Sequence, residues 1–324
     1  MGHSGSESVV GIQHISYWLP PKILDNRLIA ERHGFDEEFV LQKLGIKERR
    51  VLAPEGSLSE MASNAIKQLF SETHLQPDEV ELLILVTQTG DFSIPHTSAI
   101  LQSLTGISES ALIFDVSLGC SGFVIGLDIA ISIMERMGMK KGILVTADAY
   151  SQIVDRDDRG TAPIFGDAAT ATYLTQEPRW RMGKSDFGSR GANYEQLIVR
   201  GSGTPKDPKG SLHMDGRGIL GFTRKVVPKS VKLALEANGL DLADVDRYVF
   251  HQANAFVLDT LKDALDIPSE KIVRSLVDVG NTTSSSIPIA LSREVWDAKD
   301  NPQILVISGF GVGLSWASSV LFRT

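Results

Sequence analysis

Short apolar runs alternate with helix-like segments along most of this chain. Six apolar runs predict buried strands, at residues 9–15, 82–87, 112–116, 143–146, 248–250 and 304–307. Between them, stretches with helical spacing of apolar positions predict helices, at residues 59–72, 121–137, 226–238 and 255–265. Strands that alternate with helices are typical of an α/β fold, in which helices pack against a largely parallel sheet.

The second half of the chain repeats the pattern of the first. Three segments match in the same order at offsets of 165, 160 and 161 residues: 75–85 with 240–250, 106–108 with 266–268, and 143–145 with 304–306. Nearly constant spacing indicates two copies of one βα unit. We therefore expect an N-terminal half at residues 9–177 and a C-terminal half at 212–324, joined by a connecting segment at 178–211.

Composition excludes several classes of protein. With 42% hydrophobic and 22% charged residues among 324, the chain is typical of a globular protein with a large core. Its net charge of −8 and its lack of a long basic stripe argue against binding to nucleic acid or to an anionic membrane. The most apolar stretch, residues 111–134, is interrupted by Asp115 and Asp128, which predicts a buried strand and helix and not a membrane span.

Two further features indicate the compartment. The first eight residues are polar and do not form a signal peptide, and a single cysteine cannot form an internal disulfide. We therefore expect a cytoplasmic protein.

Cys120 is the first candidate for chemistry. It lies between Gly119 and Gly122, where an apolar strand gives way to an apolar helix. A tight turn of this kind places a side chain at a helix N-terminus, where backbone N–H groups and the helix dipole favour a thiolate. A lone cysteine is more often a small buried hydrophobe, so the nucleophile interpretation depends on what surrounds Cys120 in the fold.

The repeat connects Cys120 with two other polar residues. Asn281 lies 161 residues after Cys120, and each residue is expected to follow a strand and precede an apolar helix, at 121–137 and 284–295. Two copies related by a pseudo-twofold axis would bring both helix starts to one central cavity. His251, at the end of the strand 248–250, is expected between them. Taken singly, His251 is interpreted as a structural histidine and Asn281 as a turn or helix-cap residue. Together with Cys120, the two residues predict a catalytic site.

Several motifs of the chain resemble those of a known family. The resemblance rests on Asp115-Val-x-x-x-Cys-x-Gly-Phe, Asp158-Arg-Gly-Thr with Phe165-Gly-Asp-Ala-Ala, His251-Gln-Ala-Asn, Gly280-Asn-Thr and Gly309-Phe-Gly-Val-Gly-Leu-Ser-Trp. These motifs resemble those of 3-oxoacyl-[acyl-carrier-protein] synthase III. The resemblance implies a thiolase fold, with duplicated βαβαβαββ halves in a five-layered α/β/α/β/α arrangement, and a homodimer.

The resemblance also implies a reaction. Cys120 would accept an acyl group from a CoA or carrier-protein thioester, and a malonyl thioester would then lose CO2. His251 and Asn281 would stabilise the resulting enolate by donating hydrogen bonds. The backbone N–H groups of Cys120 and of Val312 would hold the second oxyanion. This chemistry requires no metal or redox cofactor, and the interleaved arginines of residues 155–159 favour an ion-paired loop over a metal site.

Several positions depart from the pattern of the family's best-known members. Phe39 replaces a tryptophan that stacks on the CoA adenine, and Lys43 replaces a nearby arginine, whereas Arg159 matches the nucleotide-contacting arginine. Beyond Asn254, Phe256 replaces an arginine that helps to dock the carrier protein. The loss of an aromatic side chain at Ile94, where a partner-subunit phenylalanine often ends the acyl pocket, would admit a primer longer than acetyl. The substrate-binding candidates are therefore Phe39, Lys43, Arg159, Asn254, Ile94 and Phe256.

Three functions remain at the level of sequence. The first is a decarboxylating condensing enzyme that acts in fatty-acid initiation or in a specialised polyketide-like pathway. The second is an acyltransferase of the same fold that passes the acyl group to an oxygen or nitrogen nucleophile without decarboxylation. The third is a binding or scaffold protein. The complete set of Cys120, His251 and Asn281 weighs against the third, and Asn281 favours the first over the second, since simple acyl transfer forms no enolate.

Overall fold

A computed structural model describes residues 9–34, 36, 38, 40–201 and 210–324 of the chain. Its strands are β1 Gly11–Trp18, β2 Lys22–Asp25, β3 Glu48–Val51, β4 Leu82–Val86, β5 Leu112–Val116, β6 Lys141–Asp148, β7 Ala168–Thr175, β8 Trp180–Met182, β9 Asp186–Ser189, β10 Leu197–Val199, β11 Leu212–Met214, β12 Arg247–Phe250, β13 Ile304–Gly311 and β14 Ser315–Arg323. Its α-helices are α1 Asn26–His33, α2 Leu58–Thr73, α3 Thr97–Thr105, α4 Gly122–Met137, α5 Gly216–Ala237, α6 Ala255–Leu265 and α7 Ser286–Glu294.

The six strands and four helices expected from the apolar pattern are present, and the differences from the expectation have physical causes. The expected helix 226–238 is the last part of α5, which begins ten residues earlier at Gly216. The glycines in the first turns of α5 and Pro228 disfavour a helix. Phe222, Val226 and Val227 are buried in the C-terminal core, so tertiary packing outweighs the low helix propensity of this segment.

The approach to Asn281 also differs from the expectation. Residues 273–280 form turns and coil and not a strand, and Asn281 makes only an isolated parallel bridge with Phe165. A 3-10 turn at Thr283–Ser285 precedes α7, so the helix starts at Ser286.

The two halves of the chain have the same strand order. In the N-terminal half the order is β5-β4-β6-β7-β1, with β4 parallel to β5 and β6, and with β7 antiparallel to its neighbours. In the C-terminal half β12 is parallel to β13, and β14 is antiparallel to β13 and β9. A parallel bridge between Tyr248 and Ile272 occupies the place of β5. The duplication expected from the sequence is therefore confirmed.

Three hydrophobic clusters show how the layers stack. The central cluster contains α4 and α7, which pack between β4 and β6 of the first half and β12, β13 and β14 of the second. A second cluster packs α2 on the opposite face of the first sheet, and a third packs α5 and α6 on the opposite face of the second. The order is thus α/β/α/β/α, and strand β8 joins the two sheets by pairing with both β1 and β14.

The central helix α4 follows from its sequence. Phe123, Leu127, Ala130 and Met134 recur every three or four residues and are fully buried, which places one face of the helix against the sheet. Replacing Leu127 by alanine would cost about 2–5 kcal/mol. None of the described helices is long and apolar enough to cross a membrane.

Candidate active site

Cys120 lies in the turn between β5 and α4, under strand β13. The turn is closed by a hydrogen bond from the Gly122 N–H to the Gly119 carbonyl (2.7 Å). A Cβ atom on Gly309 would lie 2.5 Å from the Cys120 carbonyl oxygen, and one on Gly311 would lie 3.0 Å from the Cys120 sulfur. Glycine at these two positions of β13 therefore lets the strand approach the turn, and Cys120 is left only 5% exposed.

His251 follows directly after β12 and is fixed from several sides. Its backbone N–H donates to the Ser308 carbonyl of β13 (2.8 Å), and its ring meets Phe310 edge to face at 5.5 Å. The ring atom Nδ1 lies 2.7 Å from the Ser286 hydroxyl at the start of α7. With Nδ1 engaged by Ser286, Nε2 is the ring atom available to a ligand.

Asn281 is oriented by the turn that follows it. Its Oδ1 accepts a hydrogen bond from the Thr283 N–H (2.9 Å), and its own N–H donates to the Ile164 carbonyl (2.9 Å). Because the turn uses the amide oxygen, the NH2 group is the end of the carboxamide that can donate to a ligand.

The structure brings these three residues to one cavity. Cys120, His251 and Asn281 all line a cavity of about 90 Å3 between the two halves. Further lining residues come from strands β10 and β11, from helix α5, and from the start of α6: Leu197 and Met214; Gly216, Ile219 and Leu220; and Asn254 and Val257. The constellation expected from the repeat is therefore present as a spatial cluster.

Burial sets the protonation of the resting site. Desolvation, together with the negative charge of Asp148, raises the pKa of Cys120 to about 12. Burial also lowers the pKa of His251 to about 3, against a smaller opposing effect of a backbone hydrogen bond to Thr283. At neutral pH the resting pair is a thiol and a neutral imidazole. Loss of hydration at Cys120 thus opposes the expected effect of the helix start, which favours a thiolate.

Asp148, which sequence reasoning missed, is a buried carboxylate whose negative charge contributes to the raised pKa of Cys120. It ends β6 and accepts hydrogen bonds from the Gln88 N–H (2.8 Å), the Thr283 hydroxyl (2.6 Å) and the Ser284 hydroxyl (2.8 Å). Burial raises the pKa of Asp148 to about 6. The signal available in the sequence is a carboxylate at the end of an otherwise apolar strand.

The outer substrate-binding candidates lie in different places. Asn254 lines the cavity, and its side chain accepts a hydrogen bond from Val257 N–H at the start of α6 (2.9 Å). Phe256 is 47% exposed on α6, and Lys43 and Arg159 are exposed; the cavity lining includes none of the three.

The remaining candidates are Ile94, Phe39 and Val312. Ile94 is 87% exposed on the loop between β4 and α3 and does not line the cavity. Phe39 lies outside the described residues. Val312 follows the last residue of β13. A Cβ atom added to Gly119 would lie 2.5 Å from the Val312 side chain, so Val312 is next to the turn that carries Cys120.

In the part of the chain that the structure describes, histidine, cysteine and carboxylate side chains form no group of three or more that could hold a metal ion.

Comparison with known proteins identifies the family. Residues 114–191 match the family model of 3-oxoacyl-[acyl-carrier-protein (ACP)] synthase III, and residues 235–322 match the model of its C-terminal part. The beta-ketoacyl-[acyl-carrier-protein] synthase III of Streptococcus thermophilus is 31% identical over 319 residues, which cover 96% of this chain and 98% of that protein. The chain belongs to the 3-oxoacyl-[acyl-carrier-protein] synthase III family. The resemblance found in its motifs is therefore confirmed.

Two solved structures match nearly the whole chain. The 3-oxoacyl-(acyl carrier protein) synthase III of Pseudomonas aeruginosa PAO1 matches with a TM-score of 0.89 and 29% identity, covering 97% of this chain and 98% of that one. The priming beta-ketosynthase of the R1128 polyketide biosynthetic pathway matches with a TM-score of 0.88 and 27% identity, covering 97% and 96%. The expected fold class, an α/β thiolase fold, is confirmed.

Proposed function

We propose that this chain catalyses a decarboxylating Claisen condensation. An acyl group carried on Cys120 is joined to a malonyl thioester, and a 3-oxoacyl thioester is released. The observation that carries the proposal is that Cys120, His251 and Asn281 line one cavity where the two halves meet.

The first half of the reaction loads the primer. The sulfur of Cys120 attacks the carbonyl carbon of an acyl-CoA or acyl-carrier thioester, the bond from that carbon to the carrier sulfur breaks, and the thiol proton ends on the departing sulfur. Because Cys120 rests as a thiol, its proton has to leave as the new bond forms.

The second half joins the two units. The malonyl thioester loses CO2, and the electron pair of the broken bond moves towards the thioester oxygen to form an enolate. The NH2 group of Asn281 and a ring N–H of His251 donate hydrogen bonds to that oxygen. The enolate carbon then attacks the acyl carbonyl, and the sulfur of Cys120 leaves and takes up a proton. These steps need neither a metal nor a redox cofactor.

Backbone N–H groups are proposed to stabilise the second oxyanion, which forms on the acyl group attached to Cys120. When the enolate attacks, negative charge develops on the oxygen of the acyl group held by Cys120. The backbone N–H of Cys120 and that of Val312, next to the same turn, are the proposed donors.

The substrates enter from the surface beside α6. Asn254 lines the cavity there and contacts the arm of the thioester. Lys43 and Arg159, both exposed, together with Phe39, bind the CoA nucleotide. Phe256, exposed on α6, faces an acyl carrier protein at the mouth, where an apolar contact takes the place of a charged one.

We also propose a homodimer. Strand β5 is the last strand of the sheet, and its apolar residue Leu112 is 38% exposed. Phe92 and Ile94, on the neighbouring loop, are 63% and 87% exposed. An exposed apolar edge strand beside exposed apolar side chains favours pairing with a second copy. Sedimentation should give twice the mass of the chain, and Leu112→Lys should shift it to monomer; a wild-type monomer would contradict this part.

Mass spectrometry of the intact protein tests the reaction. After incubation with acetyl-CoA we expect an acetyl adduct on the wild type and none on Cys120→Ala, since the chain has a single cysteine. Addition of malonyl-CoA or malonyl carrier protein should then release CO2 and a 3-oxoacyl thioester. An adduct that persists on Cys120→Ala would refute the nucleophile. Loading without CO2 release would favour the non-decarboxylating acyltransferase.

A further inference from the structure

Cationic side chains surround a cavity that is separate from the catalytic one. It measures about 180 Å3 and lies between helix α1, the paired strands β2 and β3, and the segment 151–165. No aspartate or glutamate is among the described residues that line it, whereas the lining contains the four cations Lys22, Arg32, Arg49 and Arg156. The formal net charge of the whole chain is −8, so the cavity reverses the overall charge locally and attracts anions.

Arg49, on β3, supplies the buried cation of this cavity. Its exposed fraction is 3%. Its Nε donates to Asn26 Oδ1 (2.9 Å), and its Nη1 donates to the Phe165 carbonyl (3.1 Å). Its Nη2 is buried and makes no hydrogen bond within the described part of the chain. Because a buried donor without a partner is destabilising, an acceptor bound in the cavity would be stabilised by this group.

The other three cations are exposed and form the mouth of the cavity. Arg32, on α1, makes an ion pair with Asp157. The side chains of Lys22, on β2, and Arg156 make no ion pair or hydrogen bond with any described residue. Arg156 and Asp157 belong to the same loop, so one member of this loop is paired and the other is available to a ligand.

Most of the remaining lining is apolar. It comes from β2, α1, β3 and the segment that follows Ser151: Leu24, Ile29, Val51, Leu52, Val154, Ala162 and Phe165. An apolar wall beside several cations fits a ligand with an apolar body and an anionic end, since the body leaves water while the anion meets its counter-charges. A phosphate dianion suits two guanidinium groups and an ammonium group better than a single carboxylate does.

We propose that this cavity binds a small organic phosphate with an apolar body. The phosphate group lies between the buried guanidinium of Arg49 and the unpaired mouth cations Lys22 and Arg156. The body contacts the apolar wall formed by α1, β2 and β3.

The site lies outside the machinery of the proposed reaction. Cys120, His251 and Asn281 line the other cavity and do not line this one. Lys43 and Arg159, which are proposed to bind the CoA nucleotide, do not line it either. The ligand is therefore an additional one, and its binding does not depend on the condensation reaction.

Isothermal titration calorimetry of the full chain with phenyl phosphate tests the site. We expect one molecule to bind per chain. Its affinity should be about tenfold higher than that of inorganic phosphate, which lacks the apolar body, and than that of phenol, which lacks the anion. Added sodium chloride should weaken the binding of phenyl phosphate, because the mouth cations are exposed and their charges are screened.

Variants locate the bound molecule. Lys22→Gln and Arg156→Gln should each weaken the binding of phenyl phosphate about fivefold or more, since each removes a charge from the mouth. Arg49→Lys keeps the charge and removes Nη2, so it should weaken binding as well; the two mouth variants carry the test if Arg49→Lys fails to fold. Arg224→Gln is the matched control, because Arg224 is exposed on α5 and does not line the cavity. Arg159→Gln should also leave the affinity unchanged.

Three results would overturn the inference. The first is no binding of phenyl phosphate at millimolar concentration, and the second is equal affinity for phenyl phosphate and phenol. The third is an affinity that Lys22→Gln and Arg156→Gln leave unchanged, or that falls only in Arg159→Gln, which would place the molecule at the nucleotide site. The measurement involves no acyl transfer, so its failure leaves the proposed function intact.

Discussion

The hydroxyl of Thr283 donates a hydrogen bond to Asp148 Oδ2 across the junction of the two halves, at 2.6 Å. Thr283 has φ = 51°, in the left-handed region that a threonine rarely adopts, and its N–H donates to the side chain of Asn281. A strained residue of this kind persists where its surroundings fix it. Asp148, at the end of β6 in the first half, thus shapes the turn that orients Asn281 in the second.

Asn281→Ala should separate the two halves of the reaction. Removing the carboxamide leaves Cys120 able to accept an acyl group but takes one donor from the enolate. We expect the loading rate to stay within a few-fold of wild type, and CO2 release from the malonyl thioester to fall about 100-fold or more. Loading is followed by intact mass and decarboxylation by CO2 release. Unchanged CO2 release would show that Asn281 does not stabilise the enolate.

Asp148→Asn should change how stability depends on pH. Burial raises the pKa of Asp148 from 3.8 to about 6, so between these values the folded state keeps a proton that the unfolded state has lost. The contribution of this group is therefore greatest below about pH 4 and is lost as the pH rises through 6. Relative to Asp148→Asn, the wild type should lose up to about 3 kcal/mol of unfolding free energy between pH 4 and pH 7.

Urea unfolding of both proteins at several pH values measures this difference. Asp263→Asn is the control, because the Asp263 side chain is 72% exposed. A difference between wild type and Asp148→Asn that does not vary with pH would mean that the carboxyl group is already ionised at pH 4.

Alkylation of Cys120 by iodoacetamide should report the buried thiol. Because burial and Asp148 raise its pKa to about 12, the rate should climb about tenfold per pH unit from pH 7 to 9.5 without a plateau. Asp148→Asn removes the nearby negative charge, so the reaction should be faster at each pH. A plateau below pH 9 in the wild type would instead indicate that the resting site stabilises a thiolate.

Gly309→Ala should damage the site through the backbone. The added Cβ would lie 2.5 Å from the carbonyl oxygen of Cys120, so strand β13 or the nucleophile turn has to move. We expect a loss of about 1–3 kcal/mol in unfolding free energy and a marked loss of acylation. Gly191→Ala is the control, since its Cβ would meet no atom within 4 Å. Equal melting temperatures and loading rates for the two variants would contradict the close approach.

The fold class and three residues of the site, Cys120, His251 and Asn281, could be predicted from the sequence alone. Apolar runs of strand length alternating with helical periodicity identify an α/β fold, because each pattern reflects which faces of an element must be buried. Constant offsets between the halves identify the duplication. From these, Cys120, His251 and Asn281 could be placed near one another before any coordinates were considered.

The surroundings of these three residues could not be predicted in the same way, because they are formed by contacts between distant parts of the chain. Asp148, Thr283 and Gln88 are far apart in the chain, and only their hydrogen bonds in the folded structure connect them with the site. The pKa of Cys120 depends on how far the folded chain removes the thiol from water. This loss of hydration opposes the effect of the helix terminus, and it cannot be predicted from the residues next to Cys120 in the sequence. The hydrogen bond between Tyr150 and Gln88 likewise exists only because β4 and β6 end side by side, since the two residues are 62 positions apart in the chain.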